Sequence, residues 1–314
     1  MRLVFCGTPQ FAVPTLEALL YAGHAVDLVL SQPDRASGRG LEVQFSPVKQ
    51  FAKRHGLALS QPEKIRNNPE LQQQLGEMVP DAIIIVAYGR IIPPWMLTLP
   101  PYGNLNLHAS LLPKYRGAAP IQWAVANGET ETGVTTMRID EGLDTGDILL
   151  QERVPISSEQ TSVELSPILA SVGAELMVRT LTGLRQGTLR AVQQDHSQAT
   201  LAPLLQREDG RIDWSRTARQ IYDRWRGFQP WPGAFTMFRE KKLILHAVQV
   251  AADNAWLPAG ASFGTMVRSD SRLLIVCGAG TVLDVLELQA EGKRRMAVQA
   301  FLNGVVLADG ERIG

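Results

Sequence analysis

The run AIIIVAY at residues 82–88 constrains this chain more than any other segment. Its apolar residues do not alternate with polar ones. A strand there has no face to offer to water and must be covered on both sides, which is the condition of a central strand in a parallel sheet. At seven residues the run is far short of the roughly 20 needed to cross a bilayer, and no longer apolar run exists, so no membrane association is expected.

The segments around it repeat one pattern. RLVFC, AVDLVL, DAIIIVA, NLNLH and GVTTMRI read as strands, and FAVPTLEALLYAG, SPVKQFAKRHG, NPELQQQLGEMV and AAPIQWAVANG have helical spacing of apolar residues. Strand followed by helix, repeated, predicts a doubly wound parallel sheet with helices on both faces. A long helix is expected from Thr161 to about Gln186, with Ser162 and nearby acidic residues at its start and Gly187 as its stop. The polar stretch after it reads as a linker. The texture then changes: one helix, TARQIYDRWRGF, is followed by GAFTMF, KLILHAVQV, GTMVRS, RLLIVCG and TVLDVLELQ, short strands separated by turn residues, and by a closing helix, AVQAFLNG. That is the pattern of a small barrel or sandwich. The expected domains are therefore an α/β domain at 1–189, a linker at 190–206 and a β-barrel domain at 207–314.

Composition excludes several classes. The formal net charge is zero, which does not suit a generic nucleic-acid binder. The charge is uneven: residues 207–314 hold 15 Lys and Arg against 12 Asp and Glu, and the remainder 16 against 19. The opening MRLVFCGTPQ has no long apolar core and does not read as a signal peptide. Cys6 and Cys277 sit in apolar strands and read as buried free thiols of a cytoplasmic protein, with a structural disulfide between them as the alternative. The five histidines show no metal-ligand spacing, so no metal is expected. VFCGTPQFA offers one glycine where a dinucleotide fingerprint needs three. GASFG at residues 260–264 matches a hydrolase elbow in letters only, because it precedes a strand rather than a helix.

The chemistry concentrates in NLNLHASLLPKYRGAAPIQW, residues 104–123. Alternation puts Leu105 and Leu107 on one face and Asn106 and His108 together on the other. VAYG at 86–89, the end of NLNLH, and RIDEGLDTGDIL at 138–149 are expected to meet beyond the carboxyl ends of the parallel strands, where such sheets bind ligands. Asp140, Glu141, Asp144 and Asp147 crowd the last of these. An amide, an imidazole and a carboxylate together suit acyl transfer to an amine: the imidazole shuttles a proton, the carboxylate orients it, and the amide donates to an oxyanion. The alternative reading is a strand end with polar groups beside an acidic turn.

These residues carry a resemblance. NLNLHASLLPKYRGAAPIQ and GETETGVTTMRIDEGLDTGD, with FCGTPQFAVPTLEAL, QPDRASGRG, REDGRIDW and FQPWPGAFT in the same order, resemble the methionyl-tRNA formyltransferase family over essentially the whole chain. The resemblance implies a formyltransferase domain followed by an OB-like barrel. It also implies transfer of a formyl group from 10-formyltetrahydrofolate to the amino group of methionyl initiator tRNA, by a cytoplasmic monomer. The family's catalytic asparagine, histidine and aspartate match Asn106, His108 and Asp144. Its folate-contacting turn matches Ser110, Leu111, Leu112 and Pro113, with Tyr88 and the loop from Asp140 bordering the pterin. Its tRNA-entering loop matches residues 34–49 and places Arg35 and Arg39 on the RNA. There, Leu41 and Glu42 stand where lysines are common, and Phe45 where proline is usual. KRR at 293–295 and Lys241–Lys242 are further candidate RNA contacts. Two rivals share parts of the pattern: a formyltransferase acting on a sugar-nucleotide amine, which generally differs in QPDRASGRG, RGAAPIQ and LDTGD, and a non-catalytic folate- or RNA-binding relative.

Overall fold

The computed structural model describes residues 1–37, 42–252 and 260–314. The chain divides into two compact units. The first contains residues 1–120, 131–155 and 164–203; the second contains 121–130, 156–163 and 204–314.

The first unit is built on a seven-stranded sheet. In chain order its strands are β1 (Arg2–Gly7), β2 (Ala25–Leu30), a short ribbon of β3 (Arg35–Ser37) and β4 (Glu42–Gln44) outside the main sheet, then β5 (Leu59–Ser60), β6 (Ala82–Val86), β7 (Asn104–His108), β8 (Glu131–Arg138) and β9 (Ile148–Pro155). The sheet order is β5-β2-β1-β6-β7-β8-β9. Helices α1 (Val13–Tyr21), α2 (Pro47–Arg54), α3 (Pro69–Met78) and α4 (Pro94–Leu97) connect the first five of these strands, α5 (Pro120–Ala126) lies between β7 and β8, and α6 (Ser162–Gln186) follows β9. The AIIIVA run is the middle strand, and every residue of β6 is buried. Gly187, with φ +67°, ends α6 at the expected residue.

Period-two alternation sorts the sheet into two faces. Val4, Cys6, Leu28, Leu30, Ile83 and Ile85 cluster with Leu71 and Leu75 of α3 and Met96 of α4. Ile83 pairs with Asn104 and Ile85 with Asn106, so Asn104, Asn106 and His108 extend this face after its aliphatic residues end. On the opposite face Leu107 packs directly against Gly173 of α6, where a Cβ would come within 2.7 Å of the leucine side chain. Fully burying each such aliphatic side chain contributes about 1.5–3 kcal/mol, which fixes the register of β7 and so the direction of its polar residues.

The sheet departs from the expected pattern on its β8 side. GVTTMRI does form β8, but β8 runs antiparallel to β7. ILLQERVP, not foreseen as a strand, forms β9, antiparallel to β8. A parallel partner needs a crossover that returns the chain to the other end of the sheet. The connection after β7 holds only the seven-residue α5, most of which belongs to the second unit, so β8 starts from the end at which β7 stops. Residues 192–202, in the stretch expected as a linker, bond to the first unit: Val192 pairs with Ile148, and Arg116 bridges to Thr200 and Ala202 through its backbone.

The second unit contains α7 (Ala218–Gly227), β10 (Phe235–Phe238), β11 (Lys241–Val250), β12 (Met266–Ser269), β13 (Arg272–Val276), β14 (Val282–Ala290), β15 (Met296–Ala297) and α8 (Val298–Gly304). The strands form an antiparallel sheet in the order β10-β11-β14-β13-β12, with β15 on β14. Two register breaks, on either side of Ala247 in β11, interrupt its ladder with β14, as in a sheet that bends toward a barrel. Thr217 and Gln220 cap the start of α7 reciprocally. Trp214, Ile221 and Tyr222, together with Phe301 and Leu302 of α8, pack on Leu243, Leu273, Leu283 and Leu288 of the sheet. Cys6 and Cys277 are both free and buried.

Candidate active site

The antiparallel direction of β8 changes how the acidic loop reaches the strand end. His108 lies opposite Thr135, while Arg138, where the loop leaves β8, lies opposite Leu105. The loop at 139–147 therefore starts at the beginning of β7, not beyond its carboxyl end as expected. At about 3.3 Å per residue, three strand positions separate Leu105 from His108 by about 10 Å. Six residues lead from Arg138 to Asp144, and they span up to about 20 Å, enough to fold back over the polar face and deliver Asp144 to His108.

The pair meets there. Asp144 Oδ2 lies 3.7 Å from His108 Nδ1. The other imidazole nitrogen, Nε2, lies 2.9 Å from the carbonyl oxygen of Tyr115. A carbonyl only accepts, so Nε2 carries the hydrogen and neutral His108 presents its Nδ1 lone pair to the carboxylate. Two acceptors thus face one another at a distance too long for a hydrogen bond, an arrangement suited to receiving N–H protons. His108 is 6% exposed and Asp144 is half-buried. Asn106 is half-buried on the same face, and among the described residues its side-chain amide has no hydrogen-bond partner within the chain.

Asp144 has φ +52°, a left-handed backbone that a residue with a side chain adopts only when its surroundings hold it there. One holder is the backbone N–H of Gly117, which donates to Asp144 Oδ2 at 2.8 Å. Gly117 itself has φ +122°, and a Cβ on it would stand 2.7 Å from the carbonyl oxygen of Ala202. Only glycine brings the N–H so close on that backbone. Asp140 fixes the loop from the other side: its Oδ1 accepts from the backbone N–H of Gly142 at 3.0 Å and from the Thr145 hydroxyl at 2.7 Å.

The turn at Ser110, Leu111, Leu112 and Pro113 is held by β8 and β9. Thr135 Oγ1 donates to the Ser110 carbonyl at 2.6 Å and accepts from Leu112 N–H at 3.2 Å. Gln151 donates to the Leu112 carbonyl at 2.9 Å, and Ser110 Oγ donates to the Lys114 carbonyl at 2.6 Å. The Leu112–Pro113 peptide is cis. Tyr88, which the resemblance puts at the border of the pterin, turns its side chain into the sheet's core. Its ring is buried in the aliphatic cluster of the sheet face, its hydroxyl has no partner among the described residues, and burial pushes the phenol well above its ordinary pKa. Its main-chain carbonyl instead accepts from the Gln32 amide at 2.9 Å and from the Thr8 hydroxyl. Thr8 and Tyr88 follow the carboxyl ends of β1 and β6.

Of the residues matched to the tRNA loop, Arg39 and the Leu41 beside Glu42 lie outside the described residues, and Arg35 is described only as part of the β3 backbone. Lys49 pairs with Asp34 and, with Lys53, stands over the Phe45 ring, at 4.1 and 4.6 Å from its centroid. KRR is partly committed, since Arg295 pairs with Glu287.

Residues 1–181 match the family described as "Formyl transferase", and residues 204–306 match "Formyl transferase, C-terminal domain"; the chain is thus a formyl transferase with both of its parts. The chain is 62% identical to the methionyl-tRNA formyltransferase of Acidobacterium capsulatum over all of both proteins, and 54% identical to that of Koribacter versatilis over 100% and 99% of the two. It belongs to the methionyl-tRNA formyltransferase family. Among solved structures it resembles the N-formyltransferase from Helicobacter canadensis in complex with folinic acid and dTDP-3-aminofucose, with a TM-score of 0.64 at 18% identity, covering 90% of this chain and 98% of that one. It also resembles HypX from Aquifex aeolicus in complex with tetrahydrofolic acid, with a TM-score of 0.58 at 17% identity, covering 96% of this chain and 47% of that one. At these identities the likeness is one of fold. Among the described residues no helix is long and apolar enough to cross a membrane.

Proposed function

We propose that this protein transfers a formyl group from 10-formyltetrahydrofolate to the α-amino group of methionyl initiator tRNA in the cytoplasm, with Asn106, His108 and Asp144 carrying the chemistry. The facing acceptors at His108 Nδ1 and Asp144 Oδ2, beside the unpartnered Asn106 amide, carry the reading. The co-substrate supplies the formyl carbon. As the amine bonds to it, the nitrogen sheds a proton; His108 Nδ1 accepts it while Nε2 stays bound to Tyr115 O. The Asp144 carboxylate, 3.7 Å away, stabilises the resulting imidazolium. The Asn106 amide donates to the formyl oxygen as charge grows on it. When that oxyanion collapses, the bond between the formyl carbon and N10 of the folate breaks, the proton held on His108 Nδ1 passes to N10, and tetrahydrofolate leaves with His108 neutral again. Ser110, Leu111, Leu112 and Pro113 form the wall for the folate, with the Tyr88 main chain and the Asp140-anchored loop at its border. Arg35 and Arg39 hold RNA phosphates, and the chain works as a monomer.

The identity of 62% and 54% to relatives named for methionyl-tRNA supports this acceptor over an amino sugar, since the neighbour in complex with dTDP-3-aminofucose shares 18%. The test is formyl transfer from 10-formyltetrahydrofolate with three acceptors in parallel: methionyl initiator tRNA, methionyl elongator tRNA and an amino-sugar nucleotide. Selective product on the initiator is expected. Product only on the sugar overturns the acceptor; folate binding without product on any acceptor makes the chain a binding protein.

A further inference from the structure

Gln194 falls in a polar run, VQQDHSQAT, with no periodicity to distinguish it from its neighbours. Gln193 is exposed and Gln194 is buried. Its Nε2 donates to the Asp144 carbonyl at 2.9 Å and to the Gly146 carbonyl at 2.7 Å. One amide thus spans two carbonyls on either side of Thr145. Its Oε1 accepts from Arg116 Nε at 3.1 Å and Nη2 at 2.6 Å. A guanidinium only donates, so the amide cannot flip, and its NH2 must face the loop. Arg116 is itself buried, and its backbone is tied to Thr200 and Ala202.

The same tripeptide holds every part of the pair. The Tyr115 carbonyl accepts from His108 Nε2, the Arg116 side chain holds Gln194 and through it the Asp144 main chain, and the Gly117 N–H holds the Asp144 carboxylate. We infer that Gln194 is a positioning residue for the reaction: locked by Arg116, it holds Asp144 in its left-handed backbone and so sets the carboxylate against His108. This rests on Asp144 having the role proposed above. A buried side chain making hydrogen bonds at both ends of its amide needs no such role merely to be satisfied. Both carbonyls it takes, however, belong to the loop carrying the strained Asp144, and its opposite end is fixed by a second buried group.

The test is single-turnover formylation of methionyl initiator tRNA by Gln194→Ala, Gln194→Glu, Asp144→Asn and the Gln194→Ala/Asp144→Asn double variant, with folate and tRNA affinities measured beside the rate. A displacement of about 1 Å at the reacting groups costs on the order of 100-fold, so Gln194→Ala is expected to lose about 10- to 100-fold in rate, with both affinities changed less than about threefold. Gln194→Glu keeps a partner for Arg116 but cannot donate to either carbonyl. It is expected to fall at least as far, and it remains the test if the alanine variant does not fold. In the Asp144→Asn background, Gln194→Ala is expected to add less than about threefold. A rate within about twofold of the parent for Gln194→Glu, or full additivity in the double variant, overturns the inference. Near-parent turnover in Asp144→Asn alone instead overturns the role given to Asp144, whatever the glutamine variants do.

Discussion

β7 carries two asparagines on one face, and the structure assigns them opposite consequences. Asn104 is 2% exposed and its Nδ2 donates to the Met96 carbonyl at 2.8 Å. Asn106 is half-buried, and its amide has no partner within the described residues. Asn104→Ala removes that bond, although the Met96 carbonyl keeps the Leu99 N–H at 3.4 Å and the unpartnered Asn104 Oδ1 goes with the side chain, so the cost is that of one hydrogen bond, about 0.5–1.5 kcal/mol of stability. In a unit of this size each kcal/mol lowers Tm by about 2–4 °C. Asn106→Ala removes no internal bond, so its stability change is expected within about 0.5 kcal/mol. It does remove the donor proposed for the formyl oxygen. Loss of one such donor lowers kcat by about 100- to 1000-fold, or about 2.7–4 kcal/mol of transition-state stabilisation. The assay pairs a thermal melt with single-turnover formylation for both variants. Asn104→Ala should melt lower and turn over normally once folded; Asn106→Ala should melt normally and turn over slowly. A rate loss below about fivefold in Asn106→Ala refutes the donor assignment, and a lower melt in Asn106→Ala than in Asn104→Ala refutes the reading of the strand's polar face.

Gly117→Ala forces a Cβ to within 2.7 Å of the Ala202 oxygen at φ +122°; it is expected to cost about 1–3 kcal/mol by denaturant unfolding and to reduce turnover beyond that loss, because it displaces the N–H that holds Asp144. Burial pushes the Cys277 thiol from 9.0 up to about 12, so the folded state holds its proton more tightly than the unfolded state does. That contribution is intact below about pH 9 and declines as pH rises toward 12. Cys277→Ala should therefore gain stability relative to the parent across pH 9–12, and parallel urea midpoints over that window contradict it. Arg39→Ala should weaken tRNA binding, leave folate affinity unchanged and reduce the salt slope of binding by about one; an unchanged slope removes Arg39 from the RNA contacts.

Much of this was legible in the sequence because burial writes itself as periodicity. The unbroken AIIIVA run announced a middle strand, and the alternation in NLNLH placed Asn106 and His108 on one face with Leu107 turned to α6. Strand direction was not legible. It depends on how far the chain travels between β7 and β8, and a helical pattern such as AAPIQWAVANG looks the same whether its helix crosses a sheet or ends after seven residues. For that reason the acidic loop was expected at the wrong end of β7; the carboxylate it brings within 3.7 Å of His108 is that of Asp144. Tyr88 shows a different limit: VAYG gave its position after β6, but only packing turns the phenol into the core and leaves its carbonyl outward. The support from Tyr115, Arg116, Gly117 and Gln194 also went unread, since a polar side chain that bonds across 78 residues, as Arg116 does to Gln194, leaves no local pattern.

The account turns on His108 and Asp144 acting as one proton-accepting pair. The most direct measurement is a double-mutant cycle of His108→Ala and Asp144→Asn, read as the single-turnover rate of formyl transfer to methionyl initiator tRNA with tRNA affinity measured in parallel. Residues that act as a unit lose little more together than apart. The double variant should therefore be about as slow as the slower single variant, with tRNA bound nearly as tightly as by the parent. Rate losses that multiply in full, or a single variant with near-parent turnover, would contradict the pair.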